Sequence, residues 1–424
     1  MIKRVRWIHR ELTVLVTVGA VILAVVLAGW LHAPAHGAGS ATQGSEKASE
    51  RGPKAIEQSS KVALEVISLL KDHYISDVDV AELMRVYSEK QSIADMLAAL
   101  KDPYSKYMDK NAYAAMLDDM KGTFEGIGIT IGVRDGQLTV ISPLKGTPGE
   151  RAGLRPLDRV KSIDGRPTKD MALEYAVSLI KGKKGTEVVL GIERDENGAT
   201  RAFEVRIVRD TIRVPHVASK LMDGGIGHLQ ISSFFGDDTL DAMTNEIDNL
   251  TRQGMRALIL DLRFNPGGSL PLAIQVASKF LPAGSPVVHI VSKGGNRVTY
   301  YSGPGKKVGV PVVVLVNEAS ASSSEIVAGA LKDMKAATIV GVTTFGKGLV
   351  QTIYPLSDGS AISITTHKYL TAGGNSIDKK GVVPDVVVAL PEKSEGEPRD
   401  VQLDRAIEIL KAKIQQREVI GLAG

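Results

Sequence analysis

The chain has 424 residues, 43% hydrophobic and 24% charged, as expected for a globular protein of two to three domains with a sizeable core. Its formal charge is +4, and Lys3, Arg4, Arg6 and Arg10 account for that whole excess, so the near-neutral remainder makes no case for nucleic-acid binding. Cysteine is absent, which excludes disulfides, thiol catalysis and cysteine metal sites, and none of the eight histidines has a metal-ligand or serine-protease setting.

In chain order, a basic tail (1–11) precedes an apolar run from Leu12 to Leu31. About twenty apolar residues at about 1.5 Å each cover a bilayer core of about 30 Å. Basic residues before the run place the N-terminus in the cytoplasm and everything after it outside. An uncleaved anchor is preferred because the run exceeds a usual signal core; a signal peptide cut near Ala33-Pro34-Ala35 is the alternative. Both readings export the protein. Residues 32–56, rich in Ala, Gly, Ser and charge, read as a linker.

Val62, Val66, Leu69 and Leu70 mark one helical face, and Ile93, Met96, Leu97 and Leu100 another, within a helical region over 57–118. Alternating strands and turns then fill 122–208, led by Phe124-Glu125-Gly126-Ile127-Gly128-Ile129-Thr130-Ile131. Gly126-x-Gly128 is no dinucleotide fingerprint, since the next glycine is Gly132 and strand follows rather than helix. A further α/β segment occupies 209–390. The tail, 391–424, carries an amphipathic helix with Leu403, Ala406, Ile407, Leu410 and Ile414 on one side.

Three stretches of the 209–390 segment carry chemistry. The strand pattern Pro311-Val312-Val313-Val314-Leu315-Val316 runs into Asn317-Glu318-Ala319-Ser320-Ala321-Ser322-Ser323-Ser324-Glu325 and then a helix from Glu325. Ser322 therefore sits on a strand-to-helix turn beside unpaired N–H groups and a positive helix end. Ser322-x-x-Glu325 also matches a capping box, the plain structural alternative. Further on, Phe345-Gly346-Lys347-Gly348 offers a lysine among apolar residues, a base if burial keeps its amine neutral. In the strand that follows, Gln351 shares the face of Lys347 and orients the amine without adding charge. Gly341-x-x-x-x-Gly346-Lys347 imitates a phosphate loop, but Gly348 stands where Ser or Thr must bind the metal, and strand replaces helix. Earlier, Asp261-Leu262-Arg263-Phe264-Asn265-Pro266-Gly267-Gly268 ends a strand in a turn whose bare backbone can approach a substrate closely.

Together these stretches resemble the carboxyl-terminal processing (tail-specific) proteases, PDZ-containing serine peptidases with a Ser/Lys dyad. Pro355-Leu356-Ser357-Asp358-Gly359-Ser360 and Gly381-Val382-Val383-Pro384-Asp385 extend the resemblance, which runs from about residue 57 to about residue 415. It implies an α/β protease core of the crotonase-like, tail-specific-protease kind, a mainly-β PDZ domain, and helical segments at both ends. Ser322 would be the nucleophile, Lys347 the general base and Gln351 its orienting partner. The backbone amides of Ser323 and of Gly267 or Gly268 would bind the oxyanion. The 122–208 segment resembles a PDZ domain through Arg151-Ala152-Gly153-Leu154 and Ile163-Asp164-Gly165 as well. Its amides at Gly126, Ile127, Gly128 and Ile129 would hold a terminal carboxylate. The resemblance further implies a cell-envelope endopeptidase with no cofactor or metal. It would act on proteins or peptides with free apolar C-termini, and its N-terminal helices can contribute to a homodimer. A catalytically inert PDZ scaffold is the rival reading. Departures from the family pattern are Ser323 for alanine, Ala319 for glycine, Phe264 before the asparagine and Leu157 for glycine.

Overall fold

The computed structural model describes Ile22–Leu23 and residues 53–134, 136–196, 198–389 and 400–422. The basic tail, the apolar run and the linker expected over 1–56 lie outside these residues, save Ile22–Leu23 and 53–56. Among the described residues no helix is long and apolar enough to cross a membrane. The described residues form two compact units: Leu117–Pro215, and those on either side of it.

The larger unit is built on a six-stranded sheet ordered Val217–Met222, Ile226–Ile231, Ala257–Asp261, Val312–Val316, Thr338–Gly341, Val386–Val387. The first pair is antiparallel and the rest parallel. Near-continuous runs of β-branched residues suit such a sheet because both faces are covered. Strand periodicity divides them cleanly. Leu258, Leu260, Val312, Val314 and Val316 face a core shared with helices Leu270–Ser278 and Ser323–Asp333. Ala257, Ile259, Val313 and Leu315 face Ala406, Leu410 and Ile414 of the C-terminal helix Val401–Leu422. That helix is therefore integral to the core of the larger unit.

A second sheet in this unit joins Leu349–Pro355, Ala361–Thr371, Pro286–Ser292 and Arg297–Tyr301. The N-terminal helices Pro53–His73, Val80–Lys90 and Ile93–Ala98 cover it, burying Val62, Val66, Leu70, Met96 and Leu97 against Leu356, Ile362 and Ile364. The short strand Lys106–Met108 pairs antiparallel with Ala361–Ser363 and stitches this region to the sheet.

The smaller unit has a five-stranded antiparallel path, Ile129–Arg134, Gln137–Pro143, Arg159–Ile163, Glu187–Glu196 and Ala199–Val208, with helices Pro148–Arg151 and Leu173–Ile180. Strand Asp210–Arg213 returns to pair with Thr123–Gly126, so residues just past 208 belong to this unit. Leu157, where the PDZ resemblance has glycine, adopts φ +71° and is largely exposed.

Candidate active site

Ser322 ends the turn after strand Val312–Val316 and caps the helix Ser323–Asp333, with φ +55° and ψ −113°. A non-glycine residue there is strained, a sign that surrounding contacts over-determine the turn. Those contacts explain the serine-rich run. Ser320 Oγ donates to Leu262 O at 2.8 Å, Ser323 Oγ to Gly268 O at 2.9 Å and Ser324 Oγ to Asn265 O at 2.9 Å. Three hydroxyls bolt the turn to the Leu262–Gly268 loop. Ser322 is the member of the run whose hydroxyl is not given to that loop.

The loop is equally constrained. Asn265 is fully buried; its Nδ2 donates to Ile231 O at 2.7 Å and its Oδ1 accepts the Gly267 N–H at 2.8 Å. Gly267 has φ +101°, and a Cβ on it would lie 2.8 Å from Ser322 Cβ and 3.0 Å from Ser323 N. Only a bare backbone fits against the serine turn. The Gly267 amide is thus already committed to Asn265. The amides of Gly268 and Ser323 donate to no protein acceptor among the described residues.

Lys347 is buried, and burial brings its amine down to about 7; Glu325 and Asp102 pull the other way, while Lys106 adds to the lowering. The amine lies 5.1 Å from the centre of the Tyr104 ring. Gln351 is also buried, in strand Leu349–Pro355; its Nε2 donates to Thr365 Oγ1 at 3.2 Å and its Oε1 has no partner among the described residues. An enclosed acceptor without a donor is costly unless another group reaches it.

Glu325 organises these pieces. Its carboxylate accepts the backbone N–H groups of Ser322 (2.8 Å), Gly346 (2.7 Å) and Lys347 (3.0 Å), and the Thr344 hydroxyl (2.6 Å). Burial pushes this carboxyl up, and the four donors work against that by stabilising its charge. The Gly341–Lys347 loop thus directs two amides at a carboxylate within the protein, where a phosphate loop would grip a nucleotide. In sequence Glu325 shows only as half of a capping box. Its contacts with residues some twenty positions on depend on the fold.

His228 Nε2 pairs with Asp261 Oδ2 at 3.0 Å, a contact invisible in the sequence. By strand alternation both lie on the sheet face carrying the C-terminal helix, opposite the Ser323–Asp333 helix. Arg263 binds Asp261 (2.7 Å to Oδ2) and Asp400 (2.9 Å to each oxygen), tying the loop after strand Ala257–Asp261 to the start of the C-terminal helix. Burial alone would raise Asp261, but His228 and Arg263 outweigh it and hold the carboxyl low. No group of three or more metal-ligating side chains occurs among the described residues.

In the smaller unit, Gly126, Ile127, Gly128 and Ile129 line a cleft of about 80 Å³ with Phe124, Val177 and Ile180. The Ile127 and Gly128 amides have no acceptor within the protein among the described residues. Gly128, at φ +72°, has its carbonyl held by Thr147 Oγ1 at 2.9 Å.

Comparison with known proteins accords with this layout. Residues 225–388 match the model of peptidase family S41, 116–193 that of the PDZ domain, and 17–112 that of the activating protease CtpB N-terminal domain. Carboxy-terminal processing protease CtpA of Bacillus subtilis is 40% identical over 301 residues, 71% of this chain and 64% of that protein. Carboxy-terminal processing protease CtpB of the same organism is 33% identical over 353 residues, 83% of this chain and 72% of its own. The solved photosystem II D1 C-terminal processing protease is 29% identical with a TM-score of 0.51, covering 78% of this chain and 94% of that one. The chain belongs to the PDZ-containing carboxy-terminal processing proteases of peptidase family S41.

Proposed function

We propose that this protein is an exported endopeptidase that binds the C-terminal tails of protein substrates in its PDZ domain and cuts them with a Ser322/Lys347 dyad. The observation that carries this reading is the buried Lys347 amine, brought to about 7, in one hydrogen-bonded frame with a strained, buried Ser322. A neutral amine can take a proton; an ordinary surface lysine cannot at neutral pH.

The Ser322 hydroxyl attacks the scissile carbonyl as its proton passes to Lys347 Nζ. The negative oxygen of the tetrahedral intermediate is met by the amides of Ser323 and Gly268, Gly267 being occupied by Asn265. The lysine then gives its proton to the departing amine, leaving a Ser322 ester. Water, deprotonated by the same lysine, hydrolyses the ester and restores the free hydroxyl. Gln351 Oε1, enclosed and without a donor among the described residues, is assigned to accept an N–H from the amine. No step calls for a cofactor.

For the tail, the Ile127 and Gly128 amides suit a terminal carboxylate, and the apolar cleft walls suit an apolar last residue. Export and membrane tethering rest on the apolar run at 12–31. The test is cleavage by the full chain of an unfolded protein with an apolar free C-terminus, beside its C-terminally amidated twin. Losing a charge-assisted contact should lower kcat/KM for the amidated form about ten- to a hundredfold. Equal cleavage would remove tail reading while leaving the dyad, and no cleavage of either would remove the peptidase reading.

A further inference from the structure

The N-terminal region reaches the catalytic lysine. Between helix Ile93–Ala98 and strand Lys106–Met108, Asp102 folds the chain into a tight turn. Its carboxylate accepts the Tyr104 N–H at 2.9 Å and the Ser105 hydroxyl at 2.7 Å. Ser105 Oγ in turn accepts the Thr365 N–H at 3.1 Å, and Thr365 Oγ1 is the acceptor of Gln351. This chain of bonds sets the Tyr104 ring 5.1 Å from Lys347 Nζ.

We propose that Tyr104 is a positioning residue for the base: its ring walls off the Lys347 amine from water, so that the N-terminal helical region completes the catalytic site. The inference rests on the Ser322/Lys347 reading. A ring face does attract an ammonium, but it replaces only part of the hydration that the ion loses on burial, so the wall favours the neutral amine. Other groups around the amine divide in effect. Glu325 and Asp102 favour its charge and Lys106 opposes it. Tyr369 beside Glu325, and Tyr104 itself, are kept as neutral phenols chiefly by burial, with Asp378 adding to the effect. A cavity of about 540 Å³ along Asp102, Ser105 and Lys106 brings water close to the same segment. With the ring gone, water and the two carboxylates act together to protonate the lysine.

The experiment compares pH profiles of kcat/KM for the full chain and its Tyr104→Phe, Tyr104→Ala and Tyr104→Gln variants. Acylation of Ser322 by a fluorophosphonate serves as a second readout. Phe should match the parent, since the phenol oxygen is not used. Ala and Gln should move the acid limb up by about one pH unit, with an about fivefold loss at pH 7 mostly regained by pH 9. Gln fills more of the space than Ala does and guards against collapse of the Ala variant. A loss by the same factor at every pH, or an unmoved limb in both variants, overturns the proposal. Lys347→Ala is the separate control: if it still cleaves and labels, the dyad reading fails, whatever Tyr104 does.

Discussion

Ser322 and Lys347, on different elements, are held by one carboxylate oxygen: Glu325 Oε2 accepts the backbone N–H of Ser322 at 2.8 Å and that of Lys347 at 3.0 Å. Part of their alignment is thus carried by the main chain, through a carboxylate that both backbone N–H groups share.

Glu325→Gln tests that arrangement. An amide offers one acceptor oxygen and brings donors towards buried N–H groups. The variant should lose about 2–4 kcal/mol of stability in denaturant titration and about a hundredfold in kcat/KM. Because the Glu325 charge raises Lys347, the acid limb of the residual activity should move to lower pH. A limb moving upward would contradict this electrostatic role.

Ser322→Ala should reduce turnover by about a thousandfold or more, since no neighbouring hydroxyl is free to replace it. Ser323→Ala removes only the bond to Gly268 O and should cost about threefold to tenfold through a looser loop. Active-site titration with a fluorophosphonate separates the two. Labelling of Ser323 in the Ser322→Ala chain would reassign the nucleophile.

The lysine makes a pH prediction with a definite sign. Activity should rise with pH through about 7, and Lys347→Arg should be inactive because guanidinium stays protonated. Stability is linked to the same group. Between about 7 and the ordinary lysine value, the unfolded chain holds a proton that the folded chain lacks, so stability rises with pH in that window. The slope is at most about 1.4 kcal/mol per pH unit. Lys347→Met should therefore be more stable than the parent by a few kcal/mol at pH 7, the gap closing towards pH 10. Urea titrations across this range would show it; a gap independent of pH would mean the lysine is protonated in the fold throughout.

Phe264 and Leu157 sit at φ +60° and +71° with 62% and 59% of their surface exposed, so each carries left-handed strain and little packing. Replacing either with Gly should stabilise the chain by about 1 kcal/mol in the same titration. A loss of stability in Phe264→Gly would reveal packing that outweighs the backbone cost.

Much of the fold was legible because burial imposes periodicity. The apolar run ending at Val316 is a central strand, Val62, Val66 and Leu70 form a buried helix stripe, and Ala406, Leu410 and Ile414 another. The candidate dyad was legible for a different reason: glycines, a serine turn and a lysine at particular spacings form a local signature. Less visible was the shared antiparallel pairing of 123–126 with 210–213, which joins segments far apart in sequence and carries the smaller unit beyond residue 208.

The sequence by itself determined the element types, the family and the candidate chemistry, since these depend on local pattern and on residue identity. Tertiary structure alone decided what surrounds that chemistry. It turned Glu325 from a helix cap into a bracket for two loops, brought Tyr104 from the N-terminal helices to the lysine, and committed the Gly267 amide to Asn265. It also placed the His228–Asp261 pair on the sheet face opposite the serine helix. Hydrogen bonds and desolvation act over a few ångströms of space, so they follow the folded distance between groups and not their separation along the chain.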